Sequence, residues 1–285
     1  MKAHQAEHSV VLMARVLGVS RAGYYAWAGR EPSRRAQADQ LLLEKIRAVH
    51  MESRGTYGVR RMHAALKNDG WQVGKKRISR VMKQEGIAGV WRRRYRATTK
   101  RDPKERPSPD LVNRNFSASG PNQLWVADIT QLPTRTRPAY LATVLDVWSR
   151  RVVGWALDTH MESELVERAL KDALDGREAQ GVIHHSDQGS QYTSKAFRTL
   201  AHRHGVRVSM GSVGDCYDNA MAESLFATVE CELLDLHDFD GPEQAISAVF
   251  EFIEGFYNST RLHSGIGYLA PNDFERLEAT AVAAK

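Results

Sequence analysis

Apolar residues in the first third of the chain recur every three or four positions, which predicts short amphipathic helices. One predicted helix begins near Val10, and another covers residues 21–27. Gly18 permits a sharp turn between them, and Ser20 is a good N-cap for the second helix. Two short helices joined by a glycine turn are the ingredients of a helix-turn-helix. Residues 1–32 are therefore predicted to form a helix-turn-helix-like N-terminal segment.

The same periodicity predicts three further helices between residues 38 and 90. Their apolar stripes contain Leu42, Ile46 and Val49, then Val59, Met62 and Leu66, then Ile78, Val81 and Met82. The last of these helices carries four basic residues largely off its stripe: Lys75, Lys76, Arg77 and Arg80. We predict an all-α helix-turn-helix DNA-binding domain over residues 38–90, with the basic helix on phosphates. An adaptor bundle with a solvated basic face is the alternative.

Residues 91–118 lose the apolar periodicity and contain Pro103, Pro107 and Pro109. They also carry a run of basic side chains that are candidates for DNA contact: Arg92, Arg93 and Arg94. Proline and charge without an apolar stripe are typical of a linker. We predict that this segment lies along a polyanion and adds nothing to a core.

From residue 119 onward, short apolar runs separated by turns predict strands. The first three runs, at residues 124–129, 140–145 and 152–157, are predicted to form an antiparallel meander. A helix, a fourth strand, a helix, a fifth strand and a last helix follow along the chain. This order is that of the α/β ribonuclease-H-like fold. We predict a catalytic core with a five-stranded mixed sheet over residues 119–240 and a helical extension of it over residues 241–285.

Charge is distributed unevenly along the 285 residues. Residues 1–120 hold 26 Lys or Arg against 10 Asp or Glu, whereas residues 121–285 hold 14 against 24. A basic front half indicates a phosphate-backbone partner, and an acidic rear half is compatible with metal ions. The first ten residues lack the apolar run of a signal peptide, and two cysteines fit free thiols in a reducing compartment. We therefore expect a cytoplasmic, nucleoid-associated protein.

Three carboxylates of the rear half lie where an unpaired charge is costly. Asp128 interrupts an apolar strand, Asp187 follows a buried strand, and Glu223 lies on the helix after a glycine-rich loop. Buried carboxylates persist when they are paired or bind a metal. In the predicted fold these three positions converge at one sheet edge, so we predict a catalytic site that holds two Mg²⁺ or Mn²⁺ ions.

Several other residues are candidates for DNA contact. His185 precedes Asp187 by two positions, and Asn219 lies at the start of the helix that carries Glu223. A satisfied buried histidine and a helix N-cap are the respective alternatives. Near the C-terminus an aromatic, an amide and two basic groups form a set that suits nucleic acid: Tyr257, Asn258, Arg261 and His263. A C-terminal packing clip is the alternative for that set.

The spacing and text around the carboxylates resemble a known family. Thirty-five residues separate Asp187 from Glu223, as in D,D(35)E transposases and retroviral-type integrases. The segments WVADIT, HHSDQGSQYTS and GSVGDCYDNAMAESLFATVECELL surround the three acids. With the tail FIEGFYNSTRLHSGIGYLAPNDFE, they are similar to the second-frame transposase proteins of bacterial insertion sequences of family three.

This resemblance implies an enzyme that cleaves the 3′ ends of an element's double-stranded DNA and joins them to a target, using Mg²⁺ or Mn²⁺. It also implies a homo-oligomer on paired DNA ends and an upstream-frame protein as subunit or fusion partner. The chain departs from the pattern at Glu230, where relatives often carry Lys or Arg. Two other functions stay open at this point: a nuclease of the same fold without strand transfer, and a DNA-binding regulator with an inactive core.

Overall fold

The computed structural model describes residues 1–91, 108–112, 115–211 and 220–283. It divides the chain into two compact units, Met1–Ala48 and Val49–Lys285. The predicted contacts of Arg92, Arg93, Arg94 and Asn219 lie outside the described residues, as does Cys216. Cys231 is buried and is not part of a disulfide bond.

Two short helices of the first unit form where the sequence predicts them. Helix α1 covers Val10–Leu17 and helix α2 covers Arg21–Ala28. Gly18 ends α1 in the left-handed conformation, with φ of 66°. The Ser20 hydroxyl accepts a hydrogen bond from the Gly23 amide at 3.0 Å and caps α2.

The three helices predicted between residues 38 and 90 are confirmed. They are α3 (Arg34–Glu52), α4 (Val59–Asn68) and α5 (Lys75–Gln84). Helix α3 runs across the boundary between the two units, and α4 and α5 belong to the second. Each predicted stripe is buried except at Val59, which is half-buried. The alternating apolar and basic positions of α5 therefore separate a buried face from a basic one.

The second unit contains the predicted five-stranded mixed sheet. The strands are β1 (Leu124–Leu132), β2 (Ala139–Asp146), β3 (Val152–Asp158), β4 (Ile183–Ser186) and β5 (Arg207–Met210), in the order β3-β2-β1-β4-β5. The first three strands pair antiparallel, and β4 and β5 pair parallel beside β1. This strand order and these strand directions are those of the ribonuclease-H-like fold, so the predicted fold class is confirmed.

Helices cover the sheet and continue beyond it. They are α6 (Ser163–Asp175), α7 (Ser190–Thr193), α8 (Lys195–Arg203), α9 (Ala220–Glu232), α10 (Pro242–Phe252) and α11 (Pro271–Ala283). Trp125, Leu170 and Phe197 are fully buried in one apolar cluster with residues of β1, α6 and α8. Helix α10 ends as an α-helix at Phe252, and the chain continues as a π-helical turn over Ile253–Tyr257. In the described part of the chain, no helix is long and apolar enough to cross a membrane.

The expectation that the predicted linker adds nothing to a core is wrong at residues 108–112 and 115–118. The Leu111 amide donates a hydrogen bond to the Ser209 hydroxyl of β5 at 2.9 Å, and Val112 is buried. Phe116 packs edge-on against the His185 ring at 5.4 Å. Isolated apolar residues between prolines anchor this segment on the sheet. They have no periodicity, so the sequence pattern did not predict this contact.

Gly154 of β3 provides a test of how tightly the sheet packs against α6. A Cβ atom at this position meets the Ala169 carbonyl oxygen at 2.3 Å and the Ala173 amide nitrogen at 2.5 Å. Both contacts involve backbone, which cannot rotate away. We expect Gly154→Ala to lower the free energy of unfolding by about 1–3 kcal/mol in chemical denaturation. The matched variant Gly176→Ala, whose Cβ has its nearest neighbour at 4.0 Å, should change it by under about 0.5 kcal/mol.

Candidate active site

Asp128 and Asp187 lie side by side at the junction of two parallel strands. Val126 of β1 is paired with His185 of β4, and each aspartate lies two residues further along its chain. Successive residues of a strand alternate between the two faces of the sheet. Asp128 and Asp187 are therefore placed on the same face, at the same edge of the sheet. The Ile129 amide donates to the Asp128 Oδ1 atom at 2.8 Å, which fixes that carboxylate against its own strand.

A glycine holds the second aspartate in place. The Gly189 amide donates a hydrogen bond to the Asp187 Oδ1 atom at 3.0 Å. A Cβ atom on Gly189 lies only 3.0 Å from that same oxygen, so a larger residue crowds the carboxylate. The neighbouring Gln188 side chain donates from its amide nitrogen to the Gly211 carbonyl at 2.8 Å and ties the turn to the end of β5.

Glu223 faces the same region from α9. It lies in the first turn of that helix, and it lines a cavity of about 430 Å³ together with Asp128. Two further acids, Glu230 and Asp235, line this cavity. The structure thus brings together the three carboxylates that the sequence predicted for the site. It also places Glu230 and Asp235, which were not predicted to belong to the site, on the wall of the cavity.

The electrostatics of the cleft are those of crowded negative charge. Burial raises the pKa of Asp128 to about 7, with further increases from the carboxylates of Asp187 and Glu223. Burial also raises the pKa of Asp187, and the hydrogen bond from the Gly189 amide offsets part of this increase. Within the described residues no Lys or Arg forms an ion pair with any of these three acids. In the described part of the chain, the negative charge of the cleft is therefore not balanced by ion pairs.

This donor set suits a hard divalent cation, because Mg²⁺ and Mn²⁺ prefer carboxylate oxygens. Across the described ranges, the side chains do not form a preassembled group of three or more metal ligands. The fit therefore rests on the chemistry of the donors and on their uncompensated charge. Asp128, Asp187 and Glu223 are the residues that can hold such an ion.

Tyr192 is a neighbour of the site that sequence reasoning missed. Its ring is fully buried in the core, and its hydroxyl has no hydrogen-bond partner. Burial raises its pKa well above the ordinary value, and the charges of Asp128 and Asp187 add to that increase. The sequence feature that could have indicated Tyr192 was its position on the short helix α7, five residues after Asp187.

His185 matches the alternative of a satisfied buried histidine. Its Nδ1 atom lies 2.9 Å from the Ser209 hydroxyl, and its ring packs against Phe116. Asp146, three residues along the sheet from the Asp128 pair, is a turn cap that accepts from the Trp148 and Ser149 amides. Neither residue lines the acidic cleft.

Burial and internal bonds account for most of the C-terminal set predicted to contact DNA. Asn258 exchanges two hydrogen bonds with the Val152 backbone, at 2.9 and 3.0 Å. Arg261 forms a bidentate pair with Glu232 at 2.6 and 2.7 Å, and both side chains are 4% exposed. Tyr257 is buried beneath Arg261, and the pKa of His263 is lowered to about 2 by burial and by nearby arginines. These contacts are what a packing clip requires, and they give no argument for contact with DNA by Tyr257, Asn258 or Arg261.

The clip also ties α4 to the core. The Tyr57 hydroxyl donates to the Thr260 carbonyl at 3.1 Å and accepts from the Leu262 amide at 2.8 Å. Arg61 donates to the Leu262 carbonyl at 2.9 Å and lies 3.5 Å from Glu232. On α5, by contrast, Lys75 and Lys76 are exposed, whereas Arg77 and Arg80 are half-buried and engaged within the protein.

Three protein-family models match parts of the chain. The family model described as "Integrase core domain" matches residues 118–216, and a second of that description matches residues 204–271. A model described as "HTH-like domain" matches residues 37–95. The sheet with its acidic edge thus defines the class of protein: an integrase-core protein preceded by a helix-turn-helix-like region.

Curated relatives narrow this class. The chain is 40% identical to the "Insertion element IS600 uncharacterized 31 kDa protein" of Shigella sonnei, over 92% of this chain and 97% of that protein. It is 37% identical to "Transposase InsF for insertion sequence IS3A" of Escherichia coli K12, over 95% and 96%. The chain therefore belongs to the IS3-type family of insertion-sequence transposases. Transposases with an integrase core are polynucleotidyl transferases, so it is an enzyme of that class.

Solved structures of similar fold are more distant. One belongs to the simian T-cell lymphotropic virus intasome, at 15% identity and a TM-score of 0.47, over 62% of this chain and 61% of that one. Another is the HTLV-2 integrase catalytic core domain in complex with magnesium, at 16% identity and 0.41, over 54% and 96%.

The raised pKa of Asp128 predicts a pH-dependent stability. An aspartate whose pKa is higher in the folded than in the unfolded chain makes the folded state lose stability as pH rises from 3.8 to about 7. We expect Asp128→Asn to melt at a higher temperature than the unaltered protein at pH 8 without divalent metal. The difference should shrink as pH falls toward 4. Exposed Asp175→Asn is the control, and a constant difference across this range contradicts the prediction.

The buried pair of Arg261 and Glu232 predicts a large loss on neutralisation. Glu232→Gln leaves the Arg261 guanidinium buried without its carboxylate, and breaking such a pair costs about 3–5 kcal/mol. Denaturant unfolding measures this loss. Glu230→Gln, on the same helix but with no ion pair in the described structure, should change stability by under about 1 kcal/mol. Equal effects of the two variants count against a structural role for the pair.

Proposed function

We propose that this transposase cleaves the 3′ ends of an insertion sequence and transfers them to target DNA at Asp128, Asp187 and Glu223. The observation that carries the proposal is the convergence of Asp128, Asp187 and Glu223, with no cation paired to them among the described residues. Like charges are held together at a cost, and enzymes accept such costs at functional sites.

The three acids have distinct positions relative to the reaction. Asp128 and Asp187, on neighbouring parallel strands, form one rigid edge, while Glu223 approaches from a helix across the cleft. All three act as ligands for Mg²⁺ or Mn²⁺, two ions per site. When bound, such ions activate the attacking oxygen and stabilise charge on the scissile phosphate.

DNA recognition is proposed to involve the basic face of α5. Lys75 and Lys76 are exposed on a helix whose other face is buried, so both ammonium groups can reach phosphates. Arg77 and Arg80 already make contacts within the protein. We propose that they add to the positive potential of this face and help to orient it on DNA. Double-stranded DNA, a second copy of the chain on paired ends, and an upstream-frame protein are the proposed partners.

The catalytic assignment predicts loss of cleavage from three single substitutions. Asp128→Asn, Asp187→Asn and Glu223→Gln each keep side-chain size and remove the charge that a metal ligand needs. We expect cleavage of element ends in Mg²⁺ to fall by orders of magnitude, while DNA binding by mobility shift is kept. Asp175→Asn, exposed on α6, should cleave normally. Near-normal cleavage by any of the three variants removes that residue from the proposed site.

Strand transfer is tested separately from cleavage. A pre-cut element end supplied with target DNA requires only the joining step, since its 3′-hydroxyl is already present. We expect joined product from the unaltered chain and none from the three variants. Hydrolysis of element ends without any joining supports a nuclease instead of a transposase.

Glu230 predicts a gain of DNA affinity on charge reversal. It lines the same cavity as Glu223, two helical turns further along α9. A carboxylate there repels the phosphates that must approach the cleft. We expect Glu230→Lys to bind DNA several-fold more tightly at low salt, with a steeper salt dependence, in a fluorescence anisotropy titration. A size-matched neutral variant, Glu230→Gln, should fall between the two.

A further inference from the structure

A second cavity, of about 250 Å³, lies against the side of α9 that faces away from the acidic cleft. Its wall on that helix is formed by Met221, Ser224, Leu225 and Thr228, none of which lines the acidic cleft. The opposite wall carries four basic side chains: Arg61, Arg150, Arg261 and His263. It is therefore a basic pocket with hydroxyl groups on one side.

The charges of this pocket are not balanced. Glu232 pairs with both Arg261 and Arg61. The Arg150 guanidinium has no carboxylate partner anywhere in the described chain, although burial lowers its pKa. Among the described residues, three guanidinium groups around one carboxylate leave an excess of two positive charges. Partly buried like charges repel, so an anion in the pocket relieves a cost that the protein otherwise bears.

His263 provides an independent sign of a missing partner. Its Nε2 atom is buried and makes no hydrogen bond, while its ring edge rests on Tyr257 at 4.7 Å. Buried polar atoms are nearly always bonded, so an orphan that lines a cavity calls for a ligand. Ser224 adds a hydroxyl donor on the facing helix, where the Thr228 hydroxyl already donates to the Ser224 carbonyl at 2.9 Å.

Arg150 is held in place by the turn between β2 and β3. Its φ of 62° is unusual for a residue other than glycine. The backbone amide of Arg150 donates to the Asp146 carbonyl at 2.9 Å, and Asp146 caps the same turn. A Cβ atom on Gly265 lies 3.8 Å from the Arg150 guanidinium, so a small residue there leaves room around the charge.

We propose that this pocket binds a phosphate oxyanion, with Arg150 and His263 as its direct contacts. Arg61 and Arg261 supply a fixed positive field, and the hydroxyl of Ser224 completes the donors. A phosphodiester of DNA and a free phosphate present the same oxygens, so both can occupy the site. The proposal does not rest on metal-dependent cleavage, and either can fail alone.

The first arm of the test uses the full chain and inorganic phosphate, compared with chloride at matched ionic strength. We expect phosphate to raise the melting temperature and to shift the His263 imidazole resonance, assigned with His263→Gln. Arg150→Asn should weaken phosphate binding by about tenfold or more, because a hydrogen bond to a charged group is lost. Asn tolerates the left-handed backbone at this position. Exposed Lys171→Gln, which removes one charge from α6, should bind phosphate normally.

The second arm replaces phosphate by duplex DNA and measures affinity against salt. A DNA phosphate in the pocket predicts that Arg150→Asn lowers the salt slope by about one unit relative to Lys171→Gln. An unchanged slope with phosphate binding lost assigns the pocket to free phosphate. The proposal is overturned if phosphate acts no differently from chloride, or if Arg150→Asn and Lys171→Gln respond alike to phosphate. Should Arg150→Asn not fold, the His263 resonance of the unaltered chain decides.

Discussion

Two carboxylates held side by side at the junction of β1 and β4 are the constraint on which the rest of the core depends. Asp128 and Asp187 repel one another, and burial makes that repulsion stronger. The sheet register fixes both positions through backbone hydrogen bonds that do not depend on either side chain. The apolar cluster around Trp125 and Phe197 then supplies the stability that the acidic edge removes.

Local physics made much of this fold predictable. Each helix of residues 38–90 could be read from its apolar period, and Ser20 acts as the cap that its position indicated. The three-strand meander followed from apolar runs too close together for any other connection. Asp128 was recognisable because a charge inside an apolar strand has few structural explanations.

Long-range pairing made other features inaccessible to sequence reasoning. Arg261 and Glu232 are 29 residues apart, and no helical periodicity or capping pattern relates them, so their pairing could not be predicted. Without that partner, an arginine close to an aromatic residue indicated nucleic acid. Tyr57 reaches its partners across more than 200 residues. The same limit hid Val112, since one apolar residue among prolines has no pattern until the surface of β5 is present.

Helix α9 separates two opposite electrostatic environments within the width of one helix. Glu223 and Glu230 face the acidic cleft, whereas Ser224 and Thr228 face the basic pocket. A polyanion that enters the cleft must pass negative charge, and no arginine in the described structure pairs with the carboxylates there. Glu232 pairs with Arg261 and Arg61, whereas Arg150 has no carboxylate partner in the described chain and remains able to attract phosphate. The helix thus keeps the positive charge of the pocket on one of its sides and the carboxylates of the cleft on the other, so the two do not neutralise each other.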